Sequence, residues 1–354
     1  MRFTTVRTML AGRLHLSTGP RTFAVEEVPV PVPGPGEVLV EVRAAGVCLS
    51  DVHLIDGSLR SLRLSDAVTL GHEVAGVVHS LGPDVAGDWA PGARVTLQAG
   101  QSCGRCAECL RRRPCRLPLT RGVDYDGGWA QYALARDDTL VPIPDTLPFD
   151  QAAIIPDAVS TPYAAVVQTG QVRPAQAVGV WGAGGLGAHG VRIARMAGAA
   201  PVIAVDPLPG ARERALAFGA DVALDPADPG FAAAVKEATG GRGLEAAFDF
   251  AGVPAVREQA AAVLAPGGVL VLAGLTPQPL TVTDGTRFSY RQNQIRGHYG
   301  SSPEHVEQLV RLAATGRLDL APSITDHVPL ADAADAVARL ENKTGDPIRL
   351  ILVP

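Results

Sequence analysis

Val178-Gly179-Val180-Trp181 runs straight into Gly182-Ala183-Gly184-Gly185-Leu186-Gly187, and no other stretch narrows the choice of fold as much. A short apolar run that ends in G-x-G-x-x-G and continues into an Ala-rich helical pattern predicts a strand, a tight turn and a helix. Gly182 supplies the turn, Gly184 lets backbone approach a pyrophosphate, and Gly187 lets the helix pack close to the strand. With Gly185 and Leu186 they open a helix whose unpaired N–H groups and partial positive charge suit phosphate. The next apolar run, Val202-Ile203-Ala204-Val205, ends on Asp206. A carboxylate there can accept hydrogen bonds from both ribose hydroxyls and repels a 2′-phosphate, so NAD is expected rather than NADP. Arg212 is near enough in sequence to reach the adenosine ribose.

Six such runs alternate with Ala-rich stretches after Asp157: Val178–Trp181, Val202–Val205, Val222–Leu224, Ala246–Phe250, Val269–Ala273 and Gln294–Gly297. They predict one complete α/β domain, a doubly wound parallel sheet covered by helices. The region from about 9 to 157 has another texture. Glu37-Val38-Leu39-Val40-Glu41-Val42 alternates as a half-buried strand does, and Gly and Pro punctuate the whole region, so it reads as β-rich. At 354 residues the chain has room for both.

A formal net charge of -5 gives no electrostatic case for nucleic acid or an anionic membrane as partner. No apolar run approaches the ~20 residues of a membrane helix. The opening Met1-Arg2-Phe3-Thr4-Thr5-Val6-Arg7 lacks the continuous apolar segment of a secretory signal, so a cytoplasmic location is expected.

Cys103-x2-Cys106-x2-Cys109-x5-Cys115 crowds four of the five cysteines into one loop. In a long, apparently cytosolic chain such crowding favours metal over disulfides. Four thiolates close a tetrahedral Zn²⁺ site and leave no position for substrate, so the expected role is structural. The competing account is a redox role with some thiols free. Arg105, Arg111, Arg112, Arg113 and Arg116 surround the loop, and their charge is expected to keep the thiols deprotonated.

Cys48 stands apart, in Gly46-Val47-Cys48-Leu49-Ser50-Asp51-Val52-His53, with Gly71-His72-Glu73 and Pro156-Asp157 further on. Oxidation of an alcohol needs its hydroxyl proton removed, and a Zn²⁺ with three protein ligands and an open position makes that proton acidic. Cys48, His72 and Asp157 offer sulfur, nitrogen and oxygen for such a centre. Ser50 can take the proton and pass it, through the nicotinamide ribose, to His53. The zinc-bound alkoxide then gives hydride to the nicotinamide. Each residue alone has a plainer reading: Cys48 as a core thiol, His53 as a surface histidine, Asp157 as a helix cap.

Taken together, the residues resemble the zinc-containing medium-chain dehydrogenase/reductases, which include alcohol, polyol and threonine dehydrogenases. The resemblance rests on Pro33-x-Pro35-Gly36-Glu37, Gly71-His72-Glu73-x2-Gly76-x-Val78, the cysteine loop, Asp126-Gly127-Gly128-Trp129-Ala130, the glycine motif and Ile348-Arg349. It implies a GroES-like catalytic domain built from residues 1–157 and 299–354, with a Rossmann domain, residues 158–298, inserted between them and the active site in the cleft. By the same resemblance Cys48 and His72 match zinc ligands, Ser50 and His53 a proton relay, and Glu73 a carboxylate beside the metal that can sometimes bind it. Thr161 falls where the family contacts nicotinamide, Leu275 where backbone lines the cofactor, and Arg349 where a cation meets pyrophosphate. Two zinc ions per chain, NAD, a small alcohol or carbonyl substrate and a homodimer or homotetramer are the corresponding expectations. Three features depart from the family pattern. Asp157 stands where Cys or Glu is common, the last cysteine gap is x5 rather than x7, and Leu49 replaces a phosphate-binding Arg found in some relatives. A zinc-free quinone or enoyl reductase and a non-catalytic cofactor-binding module share the fold. The first would have no use for the two ligand clusters, and the second would be expected to have lost some of them.

Overall fold

The computed structural model describes residues 7–16, 21–59, 67–111, 113 and 115–354; Arg112 and the opening Met1–Val6 lie outside the described residues. The alternating N-terminal segments become strands β1 (Thr8–His15), β2 (Thr22–Pro29), β3 (Glu37–Val47), β4 (Ala67–Thr69), β5 (Val74–Leu81), β6 (Arg94–Leu97), β7 (Gly100–Gln101), β8 (Leu119–Thr120), β9 (Tyr132–Arg136) and β10 (Leu140–Pro142). β1 pairs with both β2 and β4, and β7 with β8, while β10, β6, β5 and β3 follow one another in a larger antiparallel sheet that β9 joins through β3.

After Asp157 the pattern changes to parallel. β11 (Val178–Trp181), β12 (Val202–Val205), β13 (Val222–Leu224), β14 (Leu244–Asp249), β15 (Leu264–Leu272) and β16 (Gln294–Gly297) form one sheet in the order β13-β12-β11-β14-β15-β16. The order reverses between β11 and β14, the switch point at which such sheets take ligands. β15 starts earlier than the apolar run suggests. Leu264 pairs with Leu244 and Val269 with Ala246, so Ala265-Pro266-Gly267-Gly268 bulges out of the ladder, where Pro266 has no N–H to give.

The chain then returns: β17 (Ile324–Pro329) pairs with β18 (Arg349–Val353), and β18 adds antiparallel to β3 with Leu350 opposite Val47. The chain divides into two compact units, Met1–Asp157 with Pro303–Pro354, and Ala158–Ser302. The return expected at 299 therefore falls at Pro303. Residues 298–302 stay with the second unit because His298 bonds Thr161 and Thr169, and Ser301 Oγ donates to Ser160 Oγ at 2.8 Å. Each unit has its own core, around Trp129, Val40 and Leu352 in the first and around Trp181, Ile203 and Leu270 in the second. Among the described residues no helix is long and apolar enough to cross a membrane.

Candidate metal centre and nucleotide site

Three strand ends of the first unit meet. Cys48 directly follows β3, His72 and Glu73 directly precede β5, and Arg349 opens β18. Because Ala45 lies opposite Val74 and Leu350 opposite Val47, pairing alone brings these ends to one edge of the sheet. Cys48 also caps helix α1 (Leu49–Asp56), where Asp51 Oδ2 accepts its backbone N–H at 3.0 Å. Asp157 comes from a π-helical turn, Ile155–Val159, a wider turn often found where a helix must present a functional side chain.

One ligand atom each from Cys48, His72, Glu73 and Asp157 can be chosen so that all four lie within 4.8 Å of one another. Asp157 Oδ2 is the hub, 3.6 Å from Cys48 Sγ and 3.3 Å from His72 Nε2. Behind it, Arg349 Nη2 stands 2.9 Å from Glu73 Oε1 and 3.7 Å from Cys48 Sγ. Cys48, Asp51, His72, Glu73 and Arg349 are all buried.

This cluster is short of positive charge. Three carboxyls and a thiol face one arginine and a histidine, and both Glu73 oxygens, Asp51 Oδ1 and His72 Nδ1 have no aligned hydrogen bond. Burial pushes the Glu73 carboxyl up to about 7, against the pull of Arg349. Burial alone favours the neutral His72 ring, but Asp51 and Asp157 beside it raise its proton affinity well above the usual histidine range. A set of soft and hard donors that gathers protons in this way fits a divalent cation, which displaces protons from its ligands when it binds. Sulfur, imidazole and carboxylate together suit Zn²⁺. Asp51 Oδ1, 3.5 Å from His72 Nδ1, is placed to orient the ring from behind.

The four loop cysteines also converge within 4.8 Å, so the short x5 gap does not keep Cys115 away. Backbone does much of the gathering. The N–H groups of Cys103, Cys106, Cys109 and Leu117 each point to a cysteine sulfur at 3.3–3.4 Å. The N–H groups of Arg116 and Cys109 draw the Cys106 thiol down to about 6, while burial and the neighbouring sulfurs push Cys109 up to about 12. The expectation that arginine side chains hold the thiols deprotonated needs correcting. Arg116, Arg113 and Arg111 turn instead to the Glu108 carboxylate, at 3.1, 3.8 and 4.0 Å. A carboxylate at hand outcompetes a large, diffuse sulfur for the guanidinium fork.

In the second unit, Gly182 takes φ +84° and the helix Gly187–Met196 starts as the motif requires. A Cβ on Gly187 would fall inside the carbonyl oxygen of Gly182, whereas one on Gly184 meets nothing within 4 Å. Space is therefore kept over Gly184, and close packing is achieved at Gly187. Asp206 directly follows β12; its Oδ2 accepts the Ala183 N–H at 2.8 Å and its Oδ1 the Leu208 N–H at 2.9 Å, which ties it to the glycine turn. Arg212 does not extend outward from this position. Its Nη1 is shared among Asp206 O, Pro207 O and Asp225 Oδ2 at 2.8, 2.9 and 3.2 Å, so it braces the Asp206 turn. Leu275 exposes its side chain, and Thr161 is buried.

Arg349 pairs inside the first unit. The resemblance implies a contact to pyrophosphate, but the side chain is only 2% exposed and committed to Glu73. Other residues had no recognisable signal. Asp51 is one more acid on a helix until Cys48 and His72 are seen on either side of it. His298 bonds the Thr161 carbonyl and Thr169, and His189 Nδ1 lies 2.7 Å from Gly185 O at the glycine turn. Arg214 also grips that turn, with Nη2 3.0 Å from Ala183 O.

Comparison with known proteins agrees with this geometry. Residues 34–145 match the alcohol dehydrogenase GroES-like domain and residues 185–315 the zinc-binding dehydrogenase domain. The chain is 32% identical to L-threonine 3-dehydrogenase of Pyrococcus horikoshii over 84% of its own length and 86% of that protein. It is 29% identical to sorbitol dehydrogenase of Bacillus subtilis over 100% of its length and 99% of that protein. A solved NAD-dependent alcohol dehydrogenase superposes with a TM-score of 0.88 at 30% identity, covering 98% of this chain and 100% of that one.

Proposed function

This chain belongs to the zinc-containing medium-chain dehydrogenase/reductases, and on that premise we propose that it interconverts a small alcohol and its carbonyl compound with NAD as hydride carrier. The observation that carries the reading is the cation-poor cluster of buried Cys48, His72 and Glu73 with half-buried Asp157. Cys48, His72 and Asp157 would hold one Zn²⁺ and the four loop cysteines a second. At the first site the metal supplies acidity to a substrate hydroxyl, and the nicotinamide supplies the hydride acceptor.

The rest falls to the chain. Ser50 Oγ, 3.7 Å from Cys48 Sγ on the first turn of α1, takes the hydroxyl proton. His53, one turn further along the same helix and half-buried, passes it to water. Asp51 keeps His72 in its ligating orientation, and Arg349, 2.9 Å from Glu73 Oε1, holds that carboxyl beside the cluster. The alcohol thus loses one hydride and one proton, and carbonyl, NADH and H⁺ result.

Metal analysis of the purified protein is expected to give about two zinc per chain. A screen of primary alcohols, secondary alcohols and polyols, followed by NADH absorbance, should find turnover. A fully zinc-loaded protein that oxidises none of them and reduces no aldehyde or ketone would sink the proposal.

Asp206 underlies the choice of NAD. Its carboxylate is fixed from both sides by Ala183 and Leu208, so it cannot swing away from a 2′-phosphate. Asp206→Ser should lower the ratio of kcat/KM with NAD to that with NADP by about tenfold or more, the equivalent of ~1.4 kcal/mol. An unchanged ratio would remove Asp206 from cofactor selection.

A further inference from the structure

We infer that the buried pair Asp249–Arg257 is a positioning device for the nicotinamide half of the dinucleotide site, acting through the turn at Gly274-Leu275. The inference rests on the nucleotide-binding reading above. Neither residue lies in the glycine motif or in the metal centre.

Asp249 is the last residue of β14, the strand beside the switch point, and is fully buried. Each of its oxygens accepts at least one hydrogen bond. Oδ1 takes the N–H groups of Ala251 and Gly252 at 2.9 and 2.8 Å, and Oδ2 takes Arg257 Nε at 2.7 Å. Its backbone oxygen takes the N–H groups of Ala273 and Gly274 at 3.0 and 2.7 Å. Arg257, 6% exposed on the helix Pro254–Ala262, gives Nη2 to Gly274 O at 2.6 Å. One buried ion pair therefore ties together the loop that follows β14 and the loop that follows β15.

The two loops are also pressed against each other. Gly252 has φ +70°, and a Cβ there would stand 2.7 Å from Leu275 O; a Cβ on Gly274 would fall on Gly252 N. On its other side, Ala251 N lies 3.1 Å from where a Cβ of Gly182 would be. The loop after β14 is thus wedged between the glycine turn and the Leu275 turn. In a doubly wound sheet each half takes one mononucleotide. β11 to β13, with Asp206, serve the adenosine half, and the loops after β14 and β15 serve the other. A charged pair this well satisfied costs stability compared with an apolar core, and fixing a turn is the use to which it is put here.

Arg257→Met keeps an unbranched apolar stem and removes both donor arms. NADH and AMP affinities of the zinc-loaded protein would be measured by calorimetry, with circular dichroism and zinc content as checks on folding. The variant is expected to bind NADH about tenfold more weakly while AMP affinity stays within about twofold. Arg257→Lys, which keeps the charge beside Asp249, should recover part of the NADH affinity. It also carries the test if the methionine variant does not fold. Equal loss of AMP and NADH would show a general scaffold role and overturn the proposal, as would unchanged NADH affinity. Wild-type protein that binds neither nucleotide would overturn the dinucleotide reading itself, an outcome distinct from both.

Discussion

Replacing Cys48 with alanine should lower kcat/KM by about a thousandfold or more and deplete zinc from one site only. The expectation follows from the charge balance of the cluster. Asp157 Oδ2 lies 3.6 Å from Cys48 Sγ and 3.3 Å from His72 Nε2, so the sulfur is one of three donors around a single point. Removing it takes away the softest ligand and leaves His72 and Asp157 as two of the three donors that such a site needs. The transition-state stabilisation a Lewis acid provides is several kcal/mol, and each ~1.4 kcal/mol is a factor of ten in rate. Folding should survive, because the loss is one sulfur atom at a site whose backbone is held by strand pairing and by Asp51. The assay is steady-state kinetics with metal analysis alongside. Retention of two zinc ions and ordinary turnover in this variant would mean that the cluster is not the catalytic centre.

Gly187→Ala is the second large effect. The added methyl group would enter the carbonyl oxygen of Gly182, which is backbone and cannot rotate out of the way. The helix Gly187–Met196 must shift outward, and its first N–H groups leave the position in which they face phosphate. Overpacking of this kind costs about 3 kcal/mol in stability, and NADH affinity should fall by about a hundredfold. Gly184→Ala is the companion experiment. Its methyl group meets no protein atom within 4 Å, so the fold should be unaffected and only the ligand's close approach should suffer. Thermal denaturation and calorimetry separate the two. If both variants bind NADH as the wild type does, the helix start does not hold the pyrophosphate.

The cysteine loop gives a useful contrast with these two sites. Its four sulfurs are close in sequence, and their convergence needs only local turns, so the spacing in the sequence was enough to anticipate it. The arginines around it were not legible in the same way. Their number is plain in the sequence, but whether they face sulfur or Glu108 depends on where a carboxylate lies after the loop closes.

Arg349 shows the same limit at long range. It is separated from Glu73 by most of the chain, and only the antiparallel addition of β18 to β3 brings them together. Resemblance implies a place at the pyrophosphate; in the structure it is buried beside Glu73 and Cys48. Arg257 and Asp249 were invisible for a related reason: eight positions apart, across a loop and a helix, they carry no periodicity that marks a pair.

Elements whose information is local can be read from residue order alone: the strand–glycine–helix unit at 178–187, the acid after the next strand, the four-cysteine loop, and the change from alternating to α/β texture near Asp157. Hydrophobic period, backbone freedom and ligand spacing act over a few residues and can be read there. Which charges face each other emerges only once the chain is folded. Ion pairing and burial depend on strand register, and register is set by the packing of whole faces rather than by any single residue.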